Sequence, residues 1–196
     1  MPHTEPTPHD AIADTRLWVD RAVIGLNLCP FAKAVQVRGQ VHYAACDSAD
    51  PSDVLQALLA EADALTALDA EQRDTTLLVV TGCLRDFLDF NDFAGEAEDI
   101  LADRGLEGVL QLATFHPDFQ FGGTEADDIT HATNRAPWPT LHLLREASVD
   151  RAVEAFPDAE DIFGRNIDTL EKLGADGWAA LDVGPGAASR SARGSA

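Results

Sequence analysis

Residues 76 to 81 read Thr-Leu-Leu-Val-Val-Thr, a short unbroken apolar run with no polar residue between its leucines and valines. A strand exposed on one face alternates apolar and polar residues, so a continuous run of this length marks a strand covered on both faces. Helices must then lie on either side of it. The neighbouring sequence supplies them. Asp50 precedes Pro51, an N-cap residue followed by the one residue preorganised for the first helical position, and a helix is predicted from there to about Ala70. A second long helix is predicted over Asp86 to Arg104, closed by Gly105. An earlier helix is expected from about Asp14 to Leu28, and strands at Gly108 to Phe115 and Thr140 to Arg145. Ala34 to Cys46 reads as a strand or hairpin arm, with Val35, Val37, Val41 and Tyr43 alternating. Ser148 is expected to cap a helix to about Phe156, and Asp161 to Leu173 to form a final one ending at Gly174.

Alternating strands and helices predict an α/β fold, a single-domain layered sandwich with a mixed, mainly parallel sheet of about four strands and flanking helices. The two central strand–helix–strand units are expected as right-handed parallel crossovers, while the last strand, reached by a long excursion, could run either way. The domain is expected over residues 11–182. Residues 1–10 and 183–196 lack an apolar face and are expected to be disordered tails.

Charge narrows the function. The chain carries 34 acids and 14 bases, a formal net charge of -20. A nucleic-acid surface needs clustered cations to displace phosphate counterions, and anionic membranes attract basic patches; neither partner is expected. No apolar run reaches the roughly 18 residues of a membrane helix, and the N-terminus has no cationic start with an apolar stretch behind it. Three cysteines do not make a disulfide framework, so a reducing cytoplasm is the expected compartment.

Chemistry-bearing groups concentrate between the last two strands. His116, Asp118, Glu125, Asp127, Asp128, His131, Asn134, Arg135 and Trp138 all fall there. Unstructured connections of this length are uncommon in compact domains and are usually functional or disordered, and the presence of Phe119, Phe121 and Trp138 argues for order. Thr124 is expected to cap a short helix from Glu125. Arg135, beside Pro-Trp-Pro, suits a small carboxylate or phosphate, with Asn134 and Trp138 shaping the pocket; the alternative is a structural salt bridge. His116 ends one strand and His142 lies inside the next, so the two could converge at one sheet edge as general acid or base. The competing reading makes His116 a loop anchor and His142 a hydrogen-bonded core residue. Cys29, ahead of Pro30, is either the N-cap of a new turn, where its thiolate would be stabilised, or an unreactive thiol at the end of the first helix. A Cys/His/His site for zinc or iron is a further alternative, although no tight ligand pair announces one, and no cofactor is indicated.

Four stretches, Gly-Leu-Asn-Leu-Cys-Pro-Phe-Ala (25–32), Phe-Leu-Asp-Phe-Asn-Asp-Phe (87–93), Phe-His-Pro-Asp-Phe-Gln-Phe (115–121) and Thr-Asn-Arg-Ala-Pro-Trp-Pro-Thr-Leu-His-Leu-Leu-Arg-Glu (133–146), resemble the domain-of-unknown-function 1415 family over about residues 15 to 180. The resemblance implies no activity. It places Cys29, His116, Asn134, Arg135 and His142 within motif positions, while His131 and Trp138 depart from the asparagine and tyrosine expected there. The combined expectation is a small-molecule enzyme with catalytic Cys29, His116 and His142, holding an anionic substrate through Asn134, Arg135 and Trp138. The alternative is a non-catalytic binding or accessory protein that uses the 116–139 loop as its surface.

Overall fold

The computed structural model describes residues 7–155 and 161–194. Its elements are α1 (Pro8–Trp18), a π-helical stretch (Val19–Ile24), α2 (Ala32–Val37), β1 (Val41–Cys46), α3 (Pro51–Ala67), β2 (Thr75–Val80), α4 (Phe87–Asp103), β3 (Leu110–Phe115), a 3-10 helix (Ile129–Thr133), β4 (Thr140–Arg145), α5 (Glu146–Glu154), α6 (Ile162–Ala180) and α7 (Ala187–Gly194).

The four strands lie in the order β1-β2-β4-β3. β1 and β2 pair in parallel, whereas β4 runs antiparallel to both β2 and β3. Three strands therefore share a direction, but the returning β4 wedges between two of them, and only one adjacent pair is parallel. The expected mixed α/β sandwich is present; the "mainly parallel" description holds for strand direction and not for adjacency.

Strand alternation sorts the core into two layers. On one face Leu78 and Val80, Leu141 and Leu143, and Leu110 and Leu112 pack with Val54, Leu58, Ala62 and Leu65 of α3 and Phe90, Phe93, Ala97 and Leu101 of α4. On the other, Tyr43 and Leu77 meet Trp18, Val19 and Ala22, joined by Ala136 and Val183. Every residue of β2 is buried, as the apolar run requires. Asp50 caps α3 through the Ser52 N–H, and Asp86 caps α4 through those of Leu88 and Asp89. Arg145 donates to the carbonyls of Leu65 and Leu68, closing the far end of α3 with a cation where the helix dipole favours one.

Four local expectations change. The first helix begins at Pro8 with Thr7 in a capping box, so residues 8–10 belong to α1 instead of a tail. Residues 32–37 are helix, not strand: Ala-Lys-Ala-Val-Gln-Val is rich in helix formers, and Val37 points to solvent at 78% exposure. Thr124 caps nothing; its hydroxyl donates to the Phe121 carbonyl, and Asp128 caps the 3-10 helix at Ile129. Ser148 lies inside α5, which begins at Glu146, and hydrogen-bonds Asp74.

Within the stretch expected as a C-terminal tail, residues 187–194 form α7. α7 is docked by the buried carboxylate of Asp14, which accepts from the backbone N–H of Gly186 (2.7 Å) and Ala188 (2.9 Å). That docking residue is acidic and distant in sequence, so the tail's own composition could not announce it. Residues 1–6 and 195–196, and the end of the expected helix at Phe156, lie outside the described residues.

Candidate functional site

The parallel strands β1, β2 and β3 all end, and β4 begins, at one edge of the sheet. Ligands of open α/β sheets bind at the carboxyl ends of the strands. Three connections crowd this edge here: residues 47–50, residues 81–86 and the long segment 116–139. The first two touch so closely that a side chain at Gly82 would stand 2.2 Å from the Asp47 carbonyl oxygen, so only glycine fits. Beside it Leu84 is held at φ 55, a left-handed conformation that a branched side chain adopts at a cost.

His116 holds that corner together. It is fully buried between the rings of Phe87 and Phe90, at 5.5 and 5.1 Å. Its Nδ1 accepts the Asp118 N–H at 3.0 Å, which leaves Nε2 to carry the proton and donate to the Leu84 carbonyl at 3.3 Å. Burial lowers its pKa below the usual histidine value. Both nitrogens are engaged, and the ring works as a loop anchor.

His142 lies on the opposite face of the sheet. Its register partners are Leu77 and Ala113, and its ring packs 6.1 Å from Phe115 on the Trp18 side. The Thr75 hydroxyl donates to the Leu143 carbonyl and so receives the Nε2 proton of His142 at 2.6 Å. Desolvation pushes the imidazole down to about 4. The expected convergence of His116 and His142 is therefore corrected by strand parity. Even-numbered residues of β3 face α4, whereas even-numbered residues of β4 face α1, because the register pairs odd with even positions.

The remaining sequence-predicted residues are also tied inward. Among the described residues Arg135 makes no salt bridge; it donates to the carbonyls of Phe119 (3.0 Å) and Ala126 (3.1 Å), pinning the long segment. Asn134 accepts the His116 N–H and reaches Thr114. The indole N–H of Trp138 donates to Asp14 at 3.3 Å. His131 is fully buried, bonded to the Phe121 N–H and the Glu125 carbonyl. The loop's aromatics turn inward as well, Phe119 against Phe87 and Phe121 against His131. Cys29 is half-buried; burial pushes its thiol up, against the opposing pull of the Phe31 and Ala32 N–H groups. Among the described residues no three His, Cys, Asp or Glu side chains gather as a metal site would need.

What the structure adds is a cavity beside the Cys29 turn. The π-helical stretch ends at Gly25, whose N–H reaches back to the Asp20 carbonyl and where a side chain would meet the Arg21 carbonyl oxygen at 2.1 Å. The chain then reverses through Asn27 at φ 55, and α6 packs against the turn, Asn166 donating to the Leu28 carbonyl. Between them lies a space of about 100 Å³ lined by Leu26, Asn27, Pro30, Ile162, Arg165, Asn166 and Thr169. Sequence reasoning found the turn but missed the α6 residues. The only local signal was an Arg-Asn pair with a threonine one helical turn beyond it.

A family model described as "Protein of unknown function (DUF1415)" matches residues 10–180. No curated protein and no solved structure gives a significant match.

Proposed function

The chain belongs to the DUF1415 family, and on that premise we propose that it is a binding protein for a small anionic molecule, held in the cavity between the Cys29 turn and α6. The observation that carries this reading is the cavity's lining. In a chain of net charge -20, the seven described residues around it comprise one guanidinium (Arg165), two amides, a hydroxyl and three apolar side chains, with no carboxylate among them. Such a set recognises a carboxylate or phosphate group, and the volume accommodates one such group with little to spare.

Binding is favoured over catalysis because neither imidazole nor the Cys29 thiol lines this space. His116 and His142 each donate their proton within the fold, on opposite faces of the sheet. The ligand-binding arginine in this reading is Arg165, with Arg135 keeping the long segment in place. Three unpaired cysteines fit a reducing compartment, the cytoplasm. No described helix is long and apolar enough to cross a membrane.

Thermal-shift titration with acetate, malate, citrate, inorganic phosphate and glycerol phosphate tests the reading. A ligand at one hundred times its Kd stabilises by about 2.7 kcal/mol, a Tm rise of roughly 5–10 °C for a chain of this size. Arg165→Gln and Thr169→Val should each abolish the rise, and Arg135→Gln should retain it. No response to any of the anions, or a response that survives Arg165→Gln, overturns the assignment.

A further inference from the structure

A second surface, away from that cavity, has the form of a peptide site. The pairing of β4 with β2 and β3 sets which backbone groups point where. The Pro139 carbonyl accepts from Val80 on the β2 side, so odd-numbered residues of β4 face β2 and even-numbered ones face β3. In the register Ala113↔His142, the odd residues of β3 then bond to β4, and the even residues direct their N–H and C=O outward. Part of that outer edge is closed internally. The Leu110 N–H reaches the Leu106 carbonyl, the Thr114 carbonyl accepts from Asn134, and the His116 N–H donates to the Asn134 carbonyl. Between these closures the Leu110 carbonyl, both groups of Leu112 and the Thr114 N–H have no partner among the described residues. β3 is an edge strand with a short open segment in its middle.

A groove of about 290 Å³ runs beside that segment, between β3 and the end of α4. Its floor is apolar, formed by Leu101, Leu106 and Leu112, and its rim carries Glu98, Asp99, Glu107 and Glu146, with no basic residue among the described lining. An edge strand beside a helix-walled groove is the arrangement in which an added strand gains main-chain hydrogen bonds from the edge and specificity from alternate side chains. We propose that β3 receives an extended, lysine- or arginine-bearing peptide segment of a partner protein. A central apolar side chain enters the floor opposite Leu112, and cationic side chains two residues to either side meet the acidic rim. Charge complementarity selects this occupant: a second copy of a chain with net charge -20 would bring acids against acids.

The probe is fluorescein-Gly-Gly-Lys-Thr-Leu-Thr-Lys-amide, with the dye on the N-terminal amine and a five-residue core as long as the stretch from Leu110 to Thr114. Fluorescence anisotropy with the full chain should give a dissociation constant on the order of 100 μM or tighter, weakening as salt rises. N-methylating one alternating set of peptide amides, those facing β3, should weaken binding at least tenfold; methylating the other set should spare it. The Glu98→Lys, Asp99→Lys double variant changes exposed residues of α4 and should also lose at least tenfold, with its circular dichroism unchanged. No binding at 1 mM peptide, equal effects of the two methylation patterns, or indifference to the charge reversal overturns the proposal. So does a concentration-dependent dimer that the peptide displaces, which would assign the edge to a second copy.

Discussion

Acidification should destabilise this fold through His142, by an amount its surroundings set. The ordinary histidine pKa is 6.5, and desolvation brings this one to about 4 in the folded chain. Above pH 6.5 neither the folded nor the unfolded chain protonates the ring, and it contributes no pH dependence. Between 6.5 and 4 the unfolded chain takes up a proton that the folded chain refuses, so stability falls with acid. Below about 4 both states protonate and the loss levels off. Each pKa unit is worth 1.36 kcal/mol, so the full loss is about 3 kcal/mol, of which about 2 kcal/mol has accrued by pH 5. Urea unfolding at pH 7.5 and pH 5.0 measures it, comparing the parent chain with His142→Gln. The glutamine amide can still donate to Thr75 but does not titrate. All other groups are common to both proteins, so the difference of the two pH effects isolates the one ring. A variant as acid-sensitive as the parent, to within about 0.5 kcal/mol, would refute the reasoning.

Three further outcomes follow from the internal bonding of the sequence-predicted residues. His116→Ala removes a buried ring and leaves the Leu84 carbonyl and the Asp118 N–H without their partner; a loss of about 3–5 kcal/mol in urea unfolding is expected. Arg135→Ala should cost about 1–3 kcal/mol and speed amide exchange across residues 119–126, whereas an unchanged Tm would show that the two carbonyl bonds hold nothing in place. Asp14→Ala strips three N–H donors of their acceptor, so limited proteolysis should cut within residues 183–194 much faster than in the parent; equal cutting rates would mean that α7 docks by other contacts.

Local chemistry was legible and long-range order was not. The caps at Asp50 and Asp86 and the strand Thr140–Arg145 could be read from a few adjacent residues, because capping and strand alternation are properties of neighbours. The insertion of β4 between β2 and β3 could not, since no local pattern states which edge a returning strand joins. That one fact decides the fate of the histidines. With β4 beside β3 in antiparallel register, ring 142 falls on the α1 face and ring 116 on the α4 face. The partners of Arg135 were illegible for a related reason: they are backbone carbonyls, which every residue carries and no sequence distinguishes.

The clasp between α1 and α7 bears on how the protein is made. Asp14 is synthesised well ahead of two of the three N–H groups that satisfy its carboxylate, those of Gly186 and Ala188, which follow 172 and 174 residues later. Chains are built and begin to collapse from the N-terminus, at about 5–20 residues per second. Until Gly186 and Ala188 leave the ribosome this carboxylate lacks two of its three donors, which disfavours full docking of α1 against β1 and β2. Completion of the second layer therefore waits on residues 186–188, and a chain released before Gly186 should expose the Trp18 face of the sheet to chaperones and proteases.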